Sequence, residues 1–295
     1  MPACPYCKEK SEVLFKAKDL NRKISRKEFV YFRCPACKLI FISDVPEDLG
    51  NYYTQEYYQI PSLNKLKKVA RAERFKIEMV KKHVKSGTLL EVGPAFGVFV
   101  YQAKEAGFKV DAIEMDGKCC DFLTKTLGVN AVKSDMPHKT VASMKKHDVI
   151  ALWHVLEHLL NPWESLEALA KNVLPGGILL IATPNPEAFQ LKVLGASWPH
   201  IDAPRHVSLI PEKLLTAYLK QFGLSLVMLT TNDAGGKSWN RFGWQRLLMN
   251  RFSGKLAQRV FFIAGYLLSL PMALWDKRNF NGCAYTAIFQ KKEAA

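Results

Sequence analysis

Thr88-Leu-Leu-Glu-Val-Gly-Pro-Ala-Phe-Gly97 is an apolar run that stops at a glycine, a proline and a second glycine and then passes into the helical spacing of FGVFVYQAKEAG. Strand, tight turn and helix in that order let a backbone approach a ligand closely, because glycine alone takes left-handed dihedrals at little cost. A second apolar run, Lys109-Val-Asp-Ala-Ile-Glu114, ends in an acid about 20 positions on, where a carboxylate can accept hydrogen bonds from ribose hydroxyls. A dinucleotide enzyme would favour G-x-G-x-x-G, whereas the middle glycine position holds Ala95 and Glu91 precedes the turn.

Outward from this stretch the alternation continues through DVIALW, ESLEALAKNVLPGG, ILLIATPN, PEKLLTAYLKQFG and LSLVMLTT. Strands alternating with amphipathic helices predict an α/β fold, a parallel sheet with helices on both faces. The alternation covers residues 88–233 and resumes in a last strand within 283–295, after a helical insertion at 234–282. Upstream, residues 46–87 read as a linker with a basic helix from Pro61 to about Lys85. The formal net charge of the 295-residue chain is +15, with 48% hydrophobic residues, which excludes a disordered chain. That charge sits outside the α/β segment, which holds slightly more acids than bases, so it bears on what the appendages touch. The opening residues lack an apolar signal-peptide core, and a cytoplasmic location is expected.

Four of the seven cysteines fall in residues 1–45, as Cys4-Pro-Tyr-Cys7 and Cys34-Pro-Ala-Cys37. Zinc takes four thiolates tetrahedrally, and a two-residue gap presents two sulfurs from one turn of backbone, so two such knuckles predict a closed structural zinc ribbon. Cys119, Cys120 and Cys283 lack this spacing and are expected as buried thiols.

LLEVGPAFG, AIEMD, DVIALWHVLEHLLNP and LPGGILLIATPNP together resemble the successive motifs of class I S-adenosylmethionine-dependent methyltransferases. RCPACKLIFISDVP, the tyrosines of NYYTQEYY and WPHIDAPRHVSLIPEKLLTAYLKQFGL resemble a branch with an N-terminal zinc ribbon. The resemblance implies a Rossmann-like seven-stranded sheet, mostly parallel with the last strand antiparallel. It also implies S-adenosylmethionine as methyl donor, held by Glu91, Gly93, Ala95 and Gly97, with Glu114 on the ribose, Asp135 toward the adenine and Trp153 beside the cleft.

Ligands of open α/β sheets bind beyond the C-terminal ends of the strands. His154 and Asn185 follow the fourth and fifth strands, and Trp198, His200, Arg205 and His206 lie on the loop after the fifth. His154 or His206 is expected as a general base, Asn185, Trp198 and His200 as acceptor contacts, and Arg205 as a clamp on a carboxylate or phosphate. His154-Val-Leu-Glu-His158 also spells an inverted zinc-protease motif, but it directly follows a strand, so Glu157 and His158 are expected to cap and orient the next helix. The favoured acceptor is a small or carrier-linked metabolite, with RNA gripped by the ribbon and basic helix as the alternative.

Between Lys237 and Arg259 six basic residues and no acids are interleaved with Trp239, Phe242 and Trp244, and the apolar run Val260–Trp275 follows. At 16 residues this run falls short of a bilayer span. The insertion reads as a lid or homodimer element, or as an interfacial helix on the anionic inner face of a membrane.

Overall fold

A computed structural model of the chain describes residues 1–53, 59–252 and 254–293; Tyr57 and Tyr58 of the tyrosine-rich stretch lie outside the described residues. The central sheet is built from β4 (Thr88–Val92), β5 (Lys109–Glu114), β6 (Asn130–Lys133), β7 (His147–Trp153), β8 (Val173–Pro184), β10 (Leu224–Thr230) and β11 (Ala284–Lys291), with α4 (Gly117–Lys125), α5 (Pro137–Ala142) and α7 (Phe189–Leu194) following β5, β6 and β8. Their spatial order is β10-β11-β8-β7-β4-β5-β6. The pairs β4–β5, β4–β7, β5–β6 and β7–β8 are parallel, and β11 runs antiparallel to both β8 and β10. This is the Rossmann-like methyltransferase sheet. After β4 the chain adds β5 and β6 on one side and then crosses back to add β7 and β8 on the other, and that switch point between the parallel β4 and β7 opens a crevice at their C-terminal ends.

Side-chain alternation decides which helices cover which face. Leu90, Ile150, Leu179 and Ile181 pack with α6 (Pro162–Asn172) and α8 (Glu212–Lys220), whereas Leu89, Val149, Ile178 and Leu180 pack with α2 (Phe75–Lys81) and α3 (Val98–Glu105). The single basic helix expected from Pro61 is two helices, α1 (Leu63–Ala72) and α2, broken at Glu73 and Arg74. Gln102 of α3 holds α1 by donating to the Ala70 carbonyl at 2.8 Å.

The N-terminal segment does not close a sheet of its own. Strands β1 (Glu12–Lys18), β2 (Glu28–Arg33) and β3 (Ile40–Ile42) are joined by β9 (Ser208–Leu209) from the loop after β8, through Ile40↔Leu209 and Phe41↔Ser208. Tyr6, between the first two cysteines, packs its ring 4.5 Å from that of Trp163 on α6. Buried Cys4, Cys34 and Phe41 belong to the same core cluster as Leu90 and Ile150. The insertion is a pair of helices, α9 (Ala234–Met249) and α10 (Lys255–Asp276), before β11. Among the described residues α10 is long and apolar enough to cross a membrane by length and composition, so the helix is longer than its apolar run suggested. Cys119, Cys120 and Cys283 are buried, as expected.

Candidate active site

A cavity of about 720 Å³ lies at the switch point, within the range of small-ligand sites. Gly93, Ala95, Glu114 and Asp135 line one side, and Trp153, His154 and His158 line another. The turn after β4 takes the left-handed region at every second residue, Gly93 at φ 66°, Ala95 at 50° and Gly97 at 80°. A side chain on Gly93 would meet Val155 at 2.6 Å, so glycine there is required by space as well as by dihedral. Ala95 keeps the glycine path at the steric cost of a Cβ in that region, roughly 1–2 kcal/mol. Its amide donates to Glu114 Oε2 at 2.8 Å, and the Asp116 amide donates to Oε1 at 2.8 Å. The Glu114 carboxylate is thus fixed by backbone with lone pairs to spare. Burial raises its pKa despite those two amides.

The residues suit a donor carrying a cationic amino acid and a nucleoside. Glu91 is 3% exposed, two residues before Gly93, and its Oε2 has no partner among the described residues. Burial pushes its carboxyl up to about 8, against the opposing pull of Lys76 and the Val100 amide. Trp153 Nε1 is likewise buried and unpartnered. The Trp153 ring is boxed edge-on by Phe75 and Phe99, with Lys76 Nζ 5.0 Å from its centroid. A buried acceptor and a buried donor without partners are what a fold leaves for a polar ligand.

Across the cavity His154 directly follows β7 at φ 57°, in the left-handed region where backbone strain clusters at functional sites. Its amide continues the ladder by donating to the Ala182 carbonyl at 2.8 Å, and its ring lies 4.8 Å from that of Trp239 on α9. Glu157, 1% exposed, sits in a short 3-10 turn and caps no helix. Instead its Oε2 accepts from Thr183 Oγ1 of β8 at 2.9 Å, and Oε1 stands 3.5 Å from His154 Nδ1. Burial works against its charge, but the His154 contact and the imidazoles of His206 and His158 keep it ionised, down at about 2. His158 Nδ1 meets Tyr53 Oη at 2.9 Å and the Arg205 carbonyl at 3.0 Å; burial and the neighbouring His206 push it down to about 4, so it is neutral. Ligand atoms of Glu157, His158 and His206 lie within 4.8 Å of one another, close enough to hold a metal ion.

Four expected acceptor contacts lie elsewhere. Arg205 is fully buried: Nη2 donates to Asp19 Oδ1 and Asp202 Oδ1, both at 2.8 Å, and Nε donates to Asp202 Oδ2 at 2.8 Å. A guanidinium so engaged has no face left for an acceptor, so the clamp role does not hold. Asn185 donates to the Phe280 and Gly282 carbonyls at 2.7 and 2.9 Å and fastens the approach to β11. Trp198 is 1% exposed in the core under β2 and β3. His200 donates through Nε2 to the Trp239 carbonyl at 3.2 Å, and burial lowers its pKa to about 4. His206 donates through Nδ1 to the His200 carbonyl at 2.8 Å and lies outside the cavity lining, which leaves His154 as the base nominee that borders it. The sequence reading missed the cavity wall formed by Val45, Pro46 and Leu49 together with Tyr53. The tyrosine-rich stretch was its one signal.

The four ribbon cysteines converge. Cys4–Cys37 and Cys7–Cys34 sulfurs are 3.6 and 3.5 Å apart, near the roughly 3.8 Å edge of a tetrahedron with 2.3 Å metal–sulfur bonds. The knuckles repeat one geometry: the Lys8 and Lys38 amides each donate to the carbonyl of the first cysteine at 3.0 Å, and both lysines take positive φ.

Sheet order, glycine turn and ribose-type carboxylate define a class I nucleotide-donor α/β protein. Residues 64–229 match the family described as "Methyltransferase domain". Curated relatives include the ubiquinone biosynthesis O-methyltransferase of Maricaulis maris, 37% identical over 86 residues (27% of this chain, 34% of the relative). That of Aromatoleum aromaticum is 26% identical over 163 residues (52% and 68%). The chain spans about a third to two thirds of the length of these relatives. A solved S-adenosylmethionine-dependent methyltransferase from Archaeoglobus fulgidus shares the fold with a TM-score of 0.51 at 18% identity, covering 77% of this chain and 94% of that one. The chain belongs to the S-adenosylmethionine-dependent methyltransferase family.

Proposed function

We propose that the protein transfers a methyl group from S-adenosylmethionine to an oxygen nucleophile on a small or carrier-linked metabolite, with His154 as the general base. The observation that carries this reading is one cavity bordered by Gly93 and Glu114 on the donor side and by His154 on the other. The donor supplies an already activated methyl group, so the chain's task is to align the two reactants, exclude water and take up the acceptor proton. Glu114 holds the ribose and Trp153 walls the site, while Glu91, buried behind the turn and outside the cavity lining, sets the charge beneath Gly93. The buried carboxylate of Glu157, 3.5 Å from His154 Nδ1, orients the ring. An oxygen acceptor agrees with the names of the curated O-methyltransferase relatives. The ribbon takes one structural zinc through Cys4, Cys7, Cys34 and Cys37, which fixes the β3–β9 junction and through it the linker wall of the cavity.

His154→Ala should lower kcat by about 10²–10⁴ while leaving donor affinity by calorimetry unchanged. Wild-type turnover by this variant removes the base assignment. Failure of the parent chain to bind S-adenosylmethionine removes the enzyme reading itself.

A further inference from the structure

Among the described residues one long surface helix turns an apolar face outward, bordered by basic residues at both ends. Helix α10 has 22 residues, about 33 Å at 1.5 Å per residue. It is seated on α9 through small side chains: a Cβ on Gly265 would lie 2.4 Å from Gln245 Cα, and Gly265 and Ser269 are buried against that helix. Asp276 closes the hairpin by accepting from Trp244 Nε1 at 2.9 Å. This seating turns Leu256, Val260, Ile263, Leu267, Leu270 and Leu274 to the outside, with Leu256 77% exposed and Ile263 and Leu274 each 61%. From Val260 to Trp275 there is no ionisable acid or base except Tyr266. Soluble monomers rarely leave so continuous an apolar surface uncovered.

We infer that this face docks the protein on an anionic lipid bilayer, with α10 lying in the plane of the interface. Charge selects this occupant. Lys255 and Arg259 stand at one end of α10 and Lys277 and Arg278 at the other, while the sole acid between residues 234 and 278, Asp276, is buried. A second copy pairing through α10 sets cation against cation, end to end or end to like end, and such juxtaposition opposes association. Anionic head groups at the rim of an apolar slab match both features. Tyr266 and Trp275, each partly exposed, suit the head-group level, and Arg241 of α9 lies 5.3 Å from the Tyr266 ring centroid. The hairpin is held to the sheet at its root, where Asp233 accepts from the Gly236 amide at 2.7 Å and from Thr286 Oγ1 of β11 at 2.7 Å. With Gly265 and Ser269 committed to α9, the helix lies on the bilayer and does not cross it. The inference uses residues outside the cavity and stands or falls apart from methyl transfer.

The test is flotation of the full-length protein with phosphatidylglycerol-containing vesicles and with pure phosphatidylcholine vesicles, at low and high salt. The expected result is flotation with the anionic vesicles, suppressed by salt and by phosphatidylcholine. Ile263→Glu with Leu267→Glu should abolish it, and Lys255→Glu with Arg259→Glu should weaken partitioning at least about tenfold. All four positions are exposed, so melting temperature and S-adenosylmethionine binding should match the parent, which separates lost docking from lost folding or lost donor site. No flotation of the parent, or equal flotation of the Ile263→Glu/Leu267→Glu variant, overturns the inference. So does a parent dimer in sedimentation that this variant converts to monomer while neither binds vesicles.

Discussion

The cavity wall around Gly93 and Glu114 and the loop after β8 both carry polar side chains, yet they use most of them in different ways. Around Gly93 and Glu114, the carboxylates and the ring donor come from the C-terminal ends of β4, β5 and β7, and Glu91 Oε2 and Trp153 Nε1 are left without partners among the described residues. On the loop, Asn185, His200, Arg205 and His206 all bond to the fold itself, and Trp198 Nε1, which has no partner among the described residues, lies in the core away from the cavity. Polarity at the C-terminal edge of a sheet therefore marks a ligand site only where the polar atoms stay unspent.

The hardest test of this contrast is Arg205→Ala. Removing the guanidinium leaves the Asp19 and Asp202 carboxylates without their cation, held only by Asn21 and the Arg22 and Ile24 amides, which should cost about 3–5 kcal/mol and loosen the N-terminal segment from the central sheet, read as a fall in Tm with faster hydrogen exchange in that segment. A stable variant with only a raised acceptor KM would restore Arg205 to the acceptor site and break the comparison. A smaller effect is expected on the donor side. Because burial raises the Glu91 carboxyl from 4.5 to about 8, the folded state holds a proton that the unfolded chain has released across that interval. Its contribution to stability is full below pH 4.5 and is lost as pH rises through about 8, at roughly 1.4 kcal/mol per pKa unit. Glu91→Gln should flatten this slope and be the more stable protein at pH 8, while binding S-adenosylmethionine more weakly. A variant with the parent's slope shows that Glu91 is already ionised. The smallest effect belongs to Ala95→Gly, which removes a methyl group from a left-handed residue and should change stability by no more than about 1 kcal/mol, upward where strain relief exceeds the added chain entropy. Donor affinity should be unchanged; a large loss would mean that the methyl group itself touches the donor.

The sheet was legible because its signals are local. LLEVGPAFG and KVDAIE each encode a strand and the turn that leaves it, and a turn's dihedrals are set by the residues within it. Spacing put an acid at the end of the second strand, and the structure adds that the Ala95 amide donates to its carboxylate at 2.8 Å. The same local logic failed for Pro61–Lys85, where helical spacing continued across a break at Glu73 and Arg74. It also failed for Glu157, whose position before α6 suggested a cap but whose side chain reaches Thr183 on the neighbouring strand.

The α/β class, the four-cysteine cluster and the glycine turn after β4 are written in the chain, since each rests on periodicity, fixed ligand spacing or the backbone freedom of a few residues. Which histidine borders the cavity, the capture of Arg205 by Asp19 from 186 positions away and the outward turn of the apolar face of α10 came only with folding. Those outcomes depend on which buried charges and faces find partners across long chain separations, and neither composition nor spacing holds that information.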